Sequence, residues 1–223
     1  MIIKRDYYLK KIIDKRENGR IKIITGIRRC GKSYLLFNLY QEYLLSKGVK
    51  ENQIISIALD EIDNLEYRNP FRLNEYIKEK TKNRNTKYYI FIDEIQLSIA
   101  VSNPYVDSKE KNVTFVDVLL GFMKHSNLDI YVTGSNSKML SSDVLTQFRD
   151  RGDEIHVNPL SFAEIYDLYE NEKLAFEHYT VYGGMPYIYR LKSDEEKNQY
   201  LKDLFQETYI KDILERNNIQ NEK

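Results

Sequence analysis

The sequence predicts an α/β fold in which helices cover a parallel β-sheet, followed by a smaller helical part. Short β-rich runs alternate with longer segments of helical spacing as far as residue 160, which is typical of a parallel sheet. Residues 88–92 are apolar at every position, as expected for a central strand buried on both faces. From Ser161 onward the pattern contains helices only.

The predicted strands are residues 20–25, 54–59, 88–92, 128–133 and 154–157. A glycine turn and an amphipathic helix over residues 33–46 directly follow the first strand. The break at Asn158-Pro159 precedes predicted helices over residues 162–177 and 194–216, with a turn at residues 183–186 between them. We therefore predict an α/β domain over residues 1–160, and a helical lid with the start of a C-terminal region over residues 161–223. The stretches 78–87 and 98–112 are predicted to be surface connections.

Composition excludes several classes of protein. The 34 Lys and Arg residues balance the 34 Asp and Glu residues, so no global positive field attracts a nucleic-acid backbone or an anionic membrane. The single cysteine and three scattered histidines fit neither an internal disulfide nor a zinc site. No apolar run approaches the roughly 18–20 residues of a membrane span. We expect a cytoplasmic protein with no membrane partner.

The segment after the first strand has the pattern of a phosphate-binding loop. Residues 26–33 read G-I-R-R-C-G-K-S and fit G-x-x-x-x-G-K-[ST] between a strand and a helix. The glycines let the backbone curl so that successive N–H groups point inward, and the helix N-terminus adds positive potential. Lys32 would contact the β- and γ-phosphates, and the Ser33 hydroxyl would coordinate Mg²⁺. The predicted nucleotide-binding residues are Gly26, Arg28, Arg29, Cys30, Gly31, Lys32, Ser33 and Tyr34.

The roles of the Arg28, Arg29 and Cys30 side chains in this loop can be interpreted in more than one way. The backbone N–H groups of Arg28 and Arg29 are sufficient for binding, so their side chains can face solvent or a neighbour. Cys30 lies near a helix N-terminus and Lys32, conditions that lower a thiol pKa. We nevertheless expect Cys30 to be a plain small residue.

Two acids follow the third predicted strand. Asp93 and Glu94 come at its carboxyl end, where open α/β sheets bind their ligands. Asp93 can orient Mg²⁺, and Glu94 can polarise a water for in-line attack on the γ-phosphate. Such a pair can also cap the next helix, but its occurrence together with the phosphate loop favours the catalytic interpretation.

Further catalytic candidates flank the last strand. Ser135 and Asn136 follow the fourth strand and can either sense the γ-phosphate or cap the next helix. Arg149 and Arg151 precede the last strand; they are either surface residues or a finger that stabilises phosphoryl charge, worth roughly 10³–10⁵ in rate. The predicted catalytic residues are Glu94, Ser135, Asn136 and Arg151, and the predicted metal ligands are Ser33 and Asp93.

Together these motifs resemble the AAA+ ATPases of the bacterial and archaeal group whose P-loop reads G-x-R-R-x-G-K-[ST]. The resemblance rests on G-I-R-R-C-G-K-S, I-D-E-I-Q, V-T-G-S-N-S, and R-G followed by N-P-L-S-F-A-E-I, and covers residues 1–190. It implies a five-stranded parallel sheet between helices and a small helical lid. It also implies Walker A roles for Lys32 and Ser33, and Walker B roles for Asp93 and Glu94. Ser135 or Asn136 would be the sensor, and Arg151 would match the family's arginine that precedes the last strand.

The resemblance ends early. Members of this group usually continue into a winged-helix segment and a nuclease-like C-terminal domain, whereas this chain stops after the helix at residues 194–216. We therefore expect a fragment, a split gene product or an excised piece of a longer protein.

The sequence predicts a Mg²⁺-dependent ATPase that couples its nucleotide state to movement of the lid or a partner. ATP is the expected partner, with self-association supplying an arginine finger. The alternative is a nucleotide-binding switch or interaction module with negligible hydrolysis, because the C-terminal effector part is missing. GTP is disfavoured, since Asn136-Ser137-Lys138-Met139 differs from Asn-Lys-x-Asp. Nucleic acid is disfavoured because the basic run 78–87 lacks an aromatic residue and contains Glu79.

Overall fold

The computed structural model describes residues 3–105, 112–134, 148, 151–210 and 213–214. Its strands are β1 (Ile21–Thr25), β2 (Ile54–Ala58), β3 (Tyr88–Asp93), β4 (Val101–Ser102), β5 (Asn112–Val113), β6 (Leu128–Thr133) and β7 (Gly152–His156). Five of them form a parallel sheet in the order β2-β3-β6-β1-β7, while β4 and β5 form a small antiparallel hairpin. The predicted α/β fold with a five-stranded parallel sheet is confirmed.

Helices cover both faces of this sheet. They are α1 (Asp6–Asp14), α2 (Lys32–Tyr34), α3 (Gln41–Ser46), α4 (Pro70–Lys80), α5 (Phe115–Phe122), α6 (Phe162–Ile165), α7 (Glu172–Tyr182) and α8 (Asp194–Asp203). A wider helical segment, Leu35–Tyr40, joins α2 to α3, and a second one, Leu204–Ile210, continues α8. Among the described residues, no helix has both the length and the apolar character needed to cross a membrane.

The core lies in two layers, one on each side of the sheet. On one side α1 and residues 32–46 supply Ile12, Leu36 and Tyr40, which pack with Phe91 and Tyr131 of the sheet. On the other side α4 and α5 bury residues such as Leu73, Ile77 and Leu119. β1, β3 and β6 are buried at every position, whereas β2 and β7 are partly exposed. This difference follows from the sheet order, because β2 and β7 are its edge strands.

A buried ion pair lies within the central strands. Lys22 and Asp129 are only 0% and 2% exposed, and their side chains contact each other. Asp129 also accepts hydrogen bonds from the Tyr131 hydroxyl at 2.6 Å and from the Glu17 backbone N–H at 2.9 Å. Burial lowers the pKa of Lys22. These partners compensate the charges, which would otherwise be costly to bury.

The helical part differs from its prediction. The single helix predicted over residues 162–177 is wrong: α6 ends at Ile165, and α7 begins after Asn171. The Asn171 side chain accepts a hydrogen bond from the Leu174 backbone N–H at 3.0 Å, so it caps a new helix. The predicted surface connection 98–112 contains β4 and the first residue of β5. The last strand begins at Gly152, two residues before the predicted start.

The helical part packs directly against the end of the α/β part. The Leu160 backbone N–H donates to the Gly184 carbonyl oxygen at 2.7 Å, and a Cβ on Gly184 would lie 1.9 Å from the Leu160 carbonyl oxygen. Met185, Ile188 and Leu204 form a small core, against which Ile27 of the predicted phosphate loop also packs. The loop therefore contacts both parts of the chain. The domain boundary after residue 160 stays a prediction.

Candidate functional site

The loop between β1 and α2 curls through left-handed backbone conformations. The φ angles are 149° at Gly26, 64° at Arg29 and 100° at Gly31. A Cβ on Gly26 would lie 2.2 Å from the carbonyl oxygen of Val157 and 2.9 Å from the sulfur of Cys30. The loop therefore needs glycine at position 26 for two reasons, its backbone conformation and the close approach of the chain after β7.

We expect Gly26→Ala to lower the free energy of unfolding by about 2–4 kcal/mol, since it combines a buried clash with a strained φ angle. Chemical denaturation monitored by circular dichroism measures this loss. Gly19→Ala is the matched control, because Gly19 also has a positive φ, of 75°, but nothing lies within 4 Å of its Cβ position. Equal stability of the two variants would contradict the proposed close packing at Gly26.

Lys32 lies inside the curl of the loop. Its side chain is 4% exposed, and its Nζ donates to the carbonyl oxygens of Gly26 and Ile27, each at 3.0 Å. Ser33 follows it at the start of the helix and is half-buried. In the described part of the chain, the Ser33 hydroxyl has no hydrogen-bond partner. The amine and the hydroxyl that the motif needs are thus both at the loop.

Cys30 lacks the exposure and the lowered pKa of a reactive thiol. It is fully buried, and its Sγ donates to the Val157 carbonyl oxygen at 3.3 Å. Burial raises the pKa of this thiol, and this effect outweighs the opposite effects of Lys32 and Arg5. Cys30 therefore acts as a small packing residue beneath the loop.

The two acids lie at the carboxyl end of β3, beside the end of β6. Asp93 is 6% exposed, and its Oδ1 accepts a hydrogen bond from the Thr133 hydroxyl. Glu94 follows with a left-handed φ of 51°, and its backbone N–H donates to the same Thr133 hydroxyl at 3.3 Å. The Glu94 carboxylate accepts a hydrogen bond from the Gln96 side-chain amide. One threonine hydroxyl thus fixes the positions of both acids.

Thr133 is a site residue that sequence reasoning missed. The signal was available in the strand register, since Ile92 of β3 pairs with Val132 of β6 and the next residues are Asp93 and Thr133. Reading it required knowledge that β3 and β6 are neighbours. The predicted sensor residues Ser135 and Asn136 lie outside the described residues.

Arg151 lies at the amino-terminal end of the parallel strands, whereas the loop lies at their carboxyl end. It directly precedes β7, whose first residue, Gly152, pairs with Ile21, and whose last residue, His156, pairs with Thr25. The loop begins after Thr25, so the length of a five-residue strand, roughly 15 Å, separates Arg151 from it. Arg151 is exposed. The structure does not bring it to the loop of its own chain.

A cavity of about 470 Å³ opens beside the loop. Arg29, Gly31 and Tyr34, all predicted site residues, form one wall. The Arg29 guanidinium lies 5.8 Å from the ring centre of Tyr200 in the helical part, and Arg28 is exposed. The other walls come from the amino-terminal segment and the helical part, and they include Ile3, Arg5, Leu160, Pro186, Tyr187, Tyr189, Arg190 and Tyr200.

This cavity contains an unsatisfied polar atom. Among the described residues, the buried hydroxyl of Tyr200 has no partner in good hydrogen-bond geometry, although the Arg29 guanidinium interacts with it. Buried polar groups of this kind usually have a partner, and a bound ligand can supply it. The tyrosines of the helical part were not predicted from the sequence, because no local motif marks them.

The loop after β1, the buried lysine and the acids after β3 define a P-loop nucleotide-binding domain. The family model described as an AAA domain matches residues 18–166, and the chain belongs to this family. The resemblance to AAA+ ATPases is thereby confirmed. A second model, described as a domain of unknown function (DUF8612), matches residues 173–223.

Two curated relatives align with this chain along nearly its whole length. An uncharacterized protein of Haemophilus influenzae is 30% identical over 222 residues, which is 96% of this chain and 51% of that protein. The uncharacterized protein MJ1544 of Methanocaldococcus jannaschii is 30% identical over 239 residues, which is 100% of this chain and 47% of that protein. The chain spans about half the length of these curated relatives.

The solved structures that match this chain are distant in sequence. PCH-2 of C. elegans is 15% identical, with a TM-score of 0.48, and the match covers 79% of this chain and 46% of that one. Cdc6p of Pyrobaculum aerophilum is 13% identical, with a TM-score of 0.46, covering 74% of this chain and 48% of that one.

Proposed function

We propose that this chain is a Mg²⁺-dependent ATPase domain that hydrolyses ATP to ADP and phosphate in the cytoplasm. The observation that carries the proposal is the juxtaposition of a buried lysine within a curled glycine loop and two acids at the same carboxyl edge of the sheet. A phosphate chain needs the first feature, and activation of a water needs the second. The helical part after β7 is the proposed lid.

The cavity beside the loop offers a binding site for the nucleoside part of ATP. It joins the loop at Arg29 and Gly31 and continues to the tyrosines of the helical part. Aromatic rings can stack against a base, and the Tyr200 hydroxyl can hydrogen-bond to it. We propose that the phosphates lie in the loop and the adenosine in this cavity, so that the lid contacts the bound nucleotide.

The residues at the loop fit a magnesium ion. In the described chain, hydrogen bonds occupy only one carboxylate oxygen of Asp93, and the Ser33 hydroxyl has no partner. Mg²⁺ is typically held by one or two protein oxygens together with phosphate oxygens. Ser33 and Asp93 would therefore hold the ion, which neutralises charge on the phosphates when bound.

The remaining chemistry belongs to side chains of this chain. Lys32 would leave the carbonyl oxygens of Gly26 and Ile27 and donate to the phosphates instead. The Glu94 carboxylate would accept a proton from the attacking water at Oε1, because the Gln96 amide contacts only Oε2. Thr133 would hold both acids in place through its hydroxyl.

Calorimetric titration tests the binding step. ATP and ADP with Mg²⁺ should release heat with one site per chain, and GTP should bind more weakly. The absence of any heat with folded protein would contradict the proposal. Release of inorganic phosphate from ATP tests the hydrolytic step separately.

Arg151 favours a second candidate function, a nucleotide-binding switch with negligible hydrolysis. Arg151 lies at the end of the strands opposite to the loop. It can therefore act as an arginine finger only on the nucleotide of a neighbouring chain. If assembly requires a segment beyond this chain, ATP binds here and is barely turned over. Self-association that supplies Arg151 in trans is therefore part of the ATPase proposal.

We expect the turnover per chain to rise with protein concentration, because a finger in trans makes the active species an assembly. Phosphate release measured over a hundredfold range of concentration checks this. Arg151→Ala should remove the rise and leave nucleotide affinity unchanged, whereas the control Arg72→Ala, at an exposed position in α4, should retain it. A flat, low rate in the parent chain would favour the switch.

A further inference from the structure

Arg5 is a buried arginine that neither the motifs nor the proposed chemistry uses. It precedes α1 and is only 2% exposed. Its Nη1 donates to the Cys30 carbonyl oxygen at 3.0 Å, its Nη2 to the Asn158 carbonyl oxygen at 2.7 Å, and its Nε to Oε1 of Glu164 at 2.7 Å. The guanidinium also lies 4.6 Å from the ring centre of Tyr8. All three types of guanidinium nitrogen therefore have a fixed partner.

The partners of Arg5 belong to separate parts of the fold. Cys30 lies in the phosphate loop, Asn158 follows β7, and Glu164 lies in α6 of the helical part. The other carboxylate oxygen of Glu164 accepts the Ser161 backbone N–H at 2.8 Å, so Glu164 itself is held at the start of α6. A single guanidinium thus connects the loop to the first helix of the proposed lid.

The bond to Cys30 constrains the next amide of the loop. The described residues contain no cis peptide bond, and in a trans peptide the C=O and the following N–H point in opposite directions. When Arg5 holds the Cys30 carbonyl, the Gly31 N–H must point away from Arg5. A charged donor on that carbonyl also polarises the peptide and strengthens its N–H as a donor.

The peptide between Cys30 and Gly31 needs such a constraint. Gly31 has a φ of 100°, and a glycine has no Cβ to oppose rotation of the peptide before it. A rotated peptide would present the carbonyl oxygen, rather than the N–H, to a phosphate. The Arg5 hydrogen bond removes this alternative.

We propose that Arg5 is a positioning residue, which fixes the Gly31 amide as a phosphate donor and links its orientation to the lid through Glu164. The inference rests on the proposed function of the loop. Arg5 contacts the loop at the Cys30 carbonyl and also lines the cavity proposed for the adenosine, so a probe without a nucleoside is needed to isolate its effect on the phosphate part of the ligand.

The test uses inorganic pyrophosphate as the probe, together with the NMR signal of the Gly31 amide. Arg5→Lys keeps the charge but loses the fork of donors, and its dissociation constant for pyrophosphate should rise about tenfold, the loss expected for one charge-assisted hydrogen bond. In nucleotide-free protein labelled with ¹⁵N-glycine, the Gly31 cross-peak should shift, while the peaks of Gly19 and Gly48 should stay in place. Arg5 bonds the same peptide unit, so a shift at Gly31 supports the positioning role only together with the loss of pyrophosphate affinity, which a merely structural role would not produce.

Two further variants complete the design. Lys4→Met is the control, because it removes a positive charge from the adjacent exposed position and should change pyrophosphate affinity less than about twofold. Glu164→Gln keeps an acceptor for Arg5 and loses its charge, and it should weaken pyrophosphate binding about threefold, which reports the link to the lid. It also carries the binding test if Arg5→Lys does not fold.

The outcomes separate this inference from the proposed function. If folded Arg5→Lys binds pyrophosphate like the parent chain and its Gly31 peak does not move, the positioning role is overturned. If the parent binds neither pyrophosphate nor ADP, the proposed function fails, and the Gly31 signal still decides whether Arg5 controls the peptide.

Discussion

Lys32→Ala is expected to weaken binding of Mg·ATP by at least about a hundredfold. The alanine removes an ammonium group that is held inside the loop, and two charge-assisted hydrogen bonds to phosphate are together worth about 3 kcal/mol. Calorimetric titration at constant ionic strength measures the loss. Adenosine without phosphates should bind the variant and the parent equally.

The control for this experiment is Lys47→Ala, which removes an exposed lysine after α3. It should leave the dissociation constant of Mg·ATP within about twofold, since distant surface charges are screened by salt. A Lys32→Ala chain that remains folded and binds Mg·ATP within threefold of the parent would rule out the loop as the phosphate site.

Glu94→Gln is expected to keep nucleotide affinity and to lower turnover by about 10²–10⁴-fold, the usual contribution of a general base. The amide has the size of the carboxylate but cannot accept the proton of the attacking water. The contact of the Glu94 backbone N–H with Thr133 does not depend on the side chain, so the local structure should persist. Phosphate release and calorimetry on the same sample separate the two effects.

Glu61→Gln is the matched control, because Glu61 is an exposed acid just before the short helical segment Ile62–Arg68. It should hydrolyse ATP like the parent. Turnover by Glu94→Gln at the parent rate would show that Glu94 does not activate the water. A parent chain that binds ATP without measurable turnover would instead favour the switch.

The sequence predicted the sheet well because its signal is local. β1, β3 and β6 are buried throughout, so their apolar runs stand out against the charged segments between them. The helical part was harder, since the division between α6 and α7 depends on one Asn171 cap within a continuous helical pattern. The burial of Lys22 could not be predicted either, because it depends on an ion pair with Asp129 on the neighbouring strand.

The site divides in the same way. Lys32, Ser33, Asp93 and Glu94 could be predicted as site residues because each belongs to a short motif attached to a strand end. Thr133 reaches the site through strand order, Arg5 through the packing of the amino-terminal segment on the loop, and Tyr200 through the return of the helical part. The spacing of residues along the chain does not predict these contacts.

The left-handed conformations at Arg29 and Glu94 have a thermodynamic consequence. Side chains rarely adopt such angles, and each one costs roughly 1–3 kcal/mol. In the described chain only Glu17, Arg29 and Glu94 are non-glycine residues with a positive φ, so two of these three distortions occur where the chemistry is proposed. These angles therefore lower the folding stability at two residues of the proposed site, and we expect selection for heat resistance alone to replace these residues first.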